Sequence, residues 1–115
     1  MAVLSTVGEY VSEARVLLQD TVSPYRYGDP TLKIALAFAL LQVRKMRPDV
    51  LLGVTLPNLT SVSEDSVVVP LDDTYRMALI NFLVGYALLR DEEGGSEQRA
   101  SMFMNAFATQ LMGAA

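Results

Sequence analysis

Apolar residues recur at helical spacing in four stretches of this chain, and the breaks between them are sharp. Val7, Val11, Ala14, Leu17 and Leu18 share one face of a helix predicted from about Ser5 or Thr6 to Gln19, with Glu9 and Glu13 on another face. Breaker residues at Asp20–Pro24 and Tyr25–Gly28 mark an ordered connection. Asp29 is the expected N-cap of helix two, with Pro30 in the first turn, where its missing N–H costs nothing. Helix two runs to about Arg47, where Arg44, Lys45 and Arg47 offset the negative end of the helix dipole and Pro48 stops it. Its centre, Ile34–Leu41, is apolar all round, which predicts enclosure by the chain's other helices and by a neighbouring subunit.

Residues 49–71 break this pattern. Leu51, Leu52, Val54 and Leu56 precede Pro57-Asn58 and a Ser/Thr/Glu/Asp stretch, and Val67, Val68 and Val69 close the segment before Pro70. A connection of this length in a small domain predicts a functional arm or β-hairpin, with short strands at its apolar ends docking on a partner. Helix three is expected from Asp72 or Asp73 to about Arg90, with Tyr75, Ala78, Leu79, Phe82, Tyr86 and Leu89 as its apolar stripe. Gly85 inside it predicts a close helix crossing, since glycine costs about 1 kcal/mol of helix propensity. Asp91–Gly95 ends that helix. Ser96 caps helix four, which carries Met102, Phe103, Ala106, Phe107, Leu111 and Met112. The fold class is therefore mainly α: one domain over residues 1–115, a bundle of about four helices with an arm at 49–71.

Composition narrows the chemistry. The chain has 115 residues and lacks both cysteine and histidine, which removes thiol nucleophiles, disulfides, thiolate zinc sites and the usual neutral-pH acid or base. No cofactor, metal site or catalytic residue is predicted. Asp72-Asp73 fits a helix start, Asp91–Glu93 a solvated turn, and Ser63 has no base beside it. Gly94-Gly95 is a turn, not a phosphate-binding loop. Nine basic against thirteen acidic residues give a net charge of −4, which disfavours gripping nucleic acid; Arg44-Lys45-Met46-Arg47 is explained by the helix dipole. With 51% hydrophobic residues, oligomerisation is expected. Met46, Met77, Met102, Met104 and Met112 could form an adaptable surface, although Met77 and Met102 are assigned to the core. No apolar run reaches the roughly 18 residues of a membrane span, and the N-terminal stretch lacks the basic start of a signal peptide.

One set of spaced residues carries a resemblance. Arg15, Leu18 and Asp20, then Arg26-Tyr27-Gly28-Asp29, the long apolar helix closing on Arg47-Pro48-Asp49, and Asp73-Thr74-Tyr75-Arg76 resemble the small head-to-tail adaptor (connector) proteins of tailed bacteriophages, particularly short-tailed ones. Helix two is less polar at Ala37-Phe38-Ala39 than in such proteins. The resemblance implies a helical, non-enzymatic virion protein of the head–tail junction, assembled in the host cytoplasm. It further implies a ring of usually twelve copies that docks on the portal protein, extends the DNA channel and supports a tail or nozzle protein. Arg15, Asp20, Asp29, Arg47, Asp49, Tyr75 and Arg76 would then be scaffold. Tyr25, Arg26 and Tyr27 have the residue types of interface anchors, while Arg26 could equally clamp its own loop by pairing with Asp20 or Asp29. The arm's Leu51, Leu52, Val54, Leu56, Val67, Val68 and Val69 complete the candidate interface. The alternative readings are a small helical interaction module of a bacterial regulatory or toxin–antitoxin system and, remotely, an acidic hydrolase.

Overall fold

Thr6 begins the first helix with a reciprocal cap. In the computed structural model, which describes residues 4–18, 27–60, 63–89 and 97–113, the Thr6 hydroxyl accepts from the Glu9 backbone N–H at 3.3 Å. The Glu9 carboxylate returns to the Thr6 N–H at 3.2 Å. Each side chain thereby satisfies a backbone donor that a helix start would leave open. Helix α1 spans Val7–Leu18 and buries Tyr10 and Arg15 beside Val7, Val11, Ala14 and Leu18.

Helix α2 covers Asp29–Met46, one residue off the expected start: Gly28 is its N-cap, and Asp29 is already helical and caps nothing with its side chain. Asp29's carboxylate is held by Arg15 instead, which explains why it is not turned back on its own helix. Helix α3, Arg76–Leu89, follows a short 3-10 turn at Asp73–Tyr75, where Asp72 caps by accepting from the Thr74 N–H at 2.9 Å. Helix α4 is Glu97–Gly113. The cap expected at Ser96 and the turn at Asp91–Gly95 lie outside the described residues.

The structure is mainly α with four helices, as the periodicity predicts, and α3 is its axis. Every residue from Ala78 to Gly85 is buried, as are Ala87 and Leu88, and α3 packs on α1, α2 and most extensively α4. At Gly85 an added methyl group would lie 3.0 Å from Met104 Cγ and 3.3 Å from the Ala100 carbonyl oxygen, so the absent side chain does permit a close crossing with α4. Phe82 meets Phe107 edge to face, with ring centroids 5.0 Å apart. Asn81, the polar residue of this buried helix, donates to the Gln110 side chain of α4 at 2.6 Å.

Several packing expectations are corrected. Helix α2, apolar all round in sequence, is only half covered by its own chain: Leu32, Ala35, Leu36, Ala39, Leu40 and Val43 are buried, while Phe38 and Leu41 are exposed. The most deeply buried helix is α3, because it packs on all three others. Leu89 faces solvent, and so do Met77 and Met102, since each lies on the side of its helix away from the crossing.

The arm is not a hairpin of its own. Strand β2, Val68–Val69, pairs antiparallel with β1, Ser5–Thr6, at the other end of the sequence. Pro48–Leu51 form a 3-10 turn where a strand was expected, and Gly53 at φ 75° turns the chain afterwards. From Glu64 onward the arm caps α1: Val7 N–H donates to the Val67 carbonyl at 2.8 Å and Gly8 N–H to the Asp65 carbonyl at 3.0 Å. Lys33 of α2 ties down the same turn, donating to the Ser63 carbonyl at 2.6 Å and pairing with Asp65 at 3.1 Å. A methyl group at Gly8 would sit 2.8 Å from Asp65 Cβ. Gly8→Ala is therefore expected to push the arm off α1, seen as faster hydrogen exchange at the residue 7 and 8 amides. Global stability should change by less than about 1 kcal/mol, because alanine's better helix propensity offsets part of the loss. Unchanged exchange at those amides would show that the arm yields without letting go.

Candidate functional site

The residues that carry the resemblance form three arginine-centred clusters. Arg15, buried on α1, donates from Nη1 to the Tyr27 carbonyl at 2.7 Å and from Nη2 to Asp29. It thereby fixes the end of the connection between α1 and α2. Tyr27 packs against the core from a half-buried position. Asp20, Tyr25 and Arg26 lie outside the described residues.

Arg47 follows the last residue of α2 and reaches three elements. It pairs with Asp49 at 2.8 Å, donates from Nη1 to the Leu111 carbonyl of α4 at 3.0 Å, and sets its guanidinium 5.7 Å from the Tyr75 ring centroid. The hydrogen bond from Arg47 holds the Asp49 carboxyl below the usual carboxylate range. Arg47 and Asp49, two residues apart, thus act together with Tyr75 and Leu111, which are distant in sequence.

Arg76 sits at the first turn of α3. Its Nε donates to Glu13 Oε2 at 2.9 Å and its Nη2 to the other oxygen of the same carboxylate, a two-pronged contact with α1. Its Nη1 donates to the Ser5 hydroxyl at 2.7 Å and approaches Asp73 at 3.4 Å, while Ser5 donates to Asp73 at 2.8 Å. The guanidinium lies 5.9 Å from the Tyr10 ring centroid. Beside this cluster Thr6, Gly8, Glu9, Ser12, Asp65 and Ser66 border an open groove of about 610 Å³. Both Glu13 oxygens are engaged by Arg76, so this carboxylate serves the α1–α3 contact.

Tyr10 is fully buried under this cluster, and its hydroxyl finds no hydrogen-bond partner among the described residues. Burial, with Asp73 adding to it, pushes its ionisation well above the ordinary value. In the unfolded chain this phenol ionises near pH 10, whereas in the fold it stays protonated beyond that. Its contribution to stability is therefore full below about pH 10 and declines as pH rises further. Tyr10→Phe should be neutral or slightly stabilising at pH 7 and should weaken the alkaline fall in melting temperature. An alkaline profile identical to that of the parent would show that another group controls it.

The candidate interface divides in two. Leu51 and Val69 point into the chain's own core, and Val54, Leu56 and Val67 pack against it. Leu51 and Val69 are thereby satisfied within one chain, whereas Val54, Leu56 and Val67 are half-buried and keep part of their surface outward. Leu52, at 83% exposure, and Val68, at 50%, remain outward.

Sequence reading missed Tyr10, Lys33, Ser5 and Gln110. Lys33 had a visible signal, a cation in the first half of an otherwise apolar helix, and Tyr10 lies at i+3 from Val7 and i−4 from Ala14. Ser5 and Gln110 had none, because their partners lie on distant helices. Among the described residues no group of three or more His, Cys, Asp or Glu is arranged to hold a metal ion, and no helix is long and apolar enough to cross a membrane. Compared with known proteins, the chain matches no family model, no curated protein and no solved structure.

Proposed function

We propose that this chain is a structural component of a tailed-phage virion, a head-to-tail adaptor that forms a twelve-fold ring on the portal protein. In that reading the ring extends the DNA channel and supports the tail or nozzle protein. The observation that carries it is that Arg15, Asp29, Arg47, Asp49, Tyr75 and Arg76, on which the resemblance rests, work as contacts tying the helices together. That is the scaffold role the resemblance implies. The acidic balance of −4 also suits a channel through which DNA slides, because negative walls repel phosphate.

The test is to mix the purified chain with portal rings encoded by the same genome and view the particles by negative-stain electron microscopy. The expected result is an added tier of density with the portal's symmetry. Portal rings left bare by an excess of folded chain would overturn the reading.

A further inference from the structure

The start of α1 carries two caps of different origin. The side chains of Thr6 and Glu9 satisfy the backbone donors of Glu9 and Thr6, whereas the donors between them, on Val7 and Gly8, go to the Val67 and Asp65 carbonyls of the arm. The first cap belongs to the helix itself. With residues 63–68 moved away, α1 keeps that reciprocal cap and its buried face, and the Val7 and Gly8 amides turn to water.

The fastening of residues 63–68 is mainly polar. Glu64, Asp65, Ser66 and Val68 are exposed, and Ser63 and Val67 are half-buried, so little apolar surface holds the segment down. Firm apolar anchoring begins one residue later, at Val69, and continues at Leu71, both buried in the core. Lys33 is the pin. Its side chain is 13% exposed, and among the described residues both of its partners, the Ser63 carbonyl and the Asp65 carboxylate, lie on this segment. Gly8 is the seat: it costs α1 some helix propensity, and its missing side chain is what lets Asp65 come so close.

We infer that residues 63–68 form a two-state clasp, which opens as a unit about the buried Val69 while the four helices stay folded, and which ionic strength controls through Lys33 and Asp65. A few hydrogen bonds of modest net worth hold the clasp, whereas the helices are held by the whole core, so opening costs much less than unfolding. Asp65 is 67% exposed, which leaves its attraction to Lys33 open to screening by salt, and the ammonium regains its hydration as the clasp leaves. Closed, the clasp keeps this part of the arm on its own α1. Open, it releases Glu64 and Asp65 into solvent and uncovers Lys33, so salt sets how much of the arm is free to touch any other surface.

Amide hydrogen exchange of the isolated chain, read residue by residue by NMR, tests this. Val7 and Gly8 are expected to share one protection factor, at least tenfold below those of residues 79–83 in α3, while Val11, whose amide bonds back to Val7 within the helix, stays protected. Raising sodium chloride from roughly 0.02 to 0.5 M should speed exchange at Val7 and Gly8 about threefold relative to Val11. Lys33→Met keeps most of the aliphatic stem and loses the ammonium; it should speed exchange at the same two amides about tenfold and abolish their response to salt, with a thermal melt checking that the variant folds. Val7 and Gly8 exchanging as slowly as the α3 amides would overturn the inference, because the arm would then leave only with the whole fold. So would Val7, Gly8 and Val11 exchanging together, which is fraying of α1, or a salt response that survives in Lys33→Met. The measurement uses the chain alone and is independent of the adaptor reading: a clasp that opens in chains that leave portal rings bare would sink that reading and leave this one standing.

Discussion

Leu36→Ala and Phe82→Ala are each expected to cost about 2–5 kcal/mol of folding stability. Leu36 has no exposed surface on the buried side of α2, and Phe82 sits where α3 meets α4, stacked near Tyr86 and edge-on to Phe107. Truncating either leaves a void that rigid neighbouring helices fill only in part. For Phe82 the lost edge-to-face contact adds about 0.5–1.5 kcal/mol to the loss of buried area. A domain of this size has on the order of 5–15 kcal/mol to lose, so either variant should melt roughly 10–20 °C lower. Leu52→Ala, at a site facing water, should stay within about 0.5 kcal/mol and serves as the control. Denaturant midpoints for Leu36→Ala or Phe82→Ala that match the parent would remove those residues from the core.

Arg76→Met should produce the second largest effect, about 1–3 kcal/mol. Methionine keeps the aliphatic stem but withdraws the donors from Glu13, Asp73 and Ser5, and the cation from beside Tyr10. Breaking a fully buried ion pair costs about 3–5 kcal/mol, but here Glu13 is 44% exposed and regains water, which lowers the figure. Arg76→Lys should recover little, since an ammonium cannot span both oxygens of Glu13 and reach Ser5 as well. Added salt should narrow the gap between parent and variant. A variant within about 0.5 kcal/mol of the parent would reduce the cluster to surface decoration.

Features set by neighbouring residues were readable from sequence, whereas those depending on distant ones were not. The Thr6 start, the Pro30 first turn and Pro48 stop of α2, the Asp72 cap and the Gly85 crossing each depend on residues within a turn or on a missing side chain, whereas the cap expected of Asp29 was lost to the distant Arg15. Which apolar helix becomes central is another matter. Ile34–Leu41 and Met77–Leu89 read alike, and only the placement of α1, α2 and α4 around α3 separates them. The distant partners of the arginines were not readable: Arg76 to Glu13 and Arg47 to Leu111 each span more than half of the chain. The arm's valines read as strand, yet a period of two cannot say that the pairing strand is Ser5–Thr6. For the same reason nothing in the polar middle of the arm announces that Ser63 and Asp65 hold Lys33 and the first turn of α1.

The way α1 is capped bears on how the protein emerges from the ribosome. The first helix is synthesised early, but the carbonyls that receive the Val7 and Gly8 amides belong to Val67 and Asp65. A nascent chain that has not yet released those residues has α1 with an unfinished N-terminal turn, and Glu13 waits still longer for Arg76. The helix made first is therefore completed late, and translation beyond α2 sets the moment at which the N-terminal segment locks.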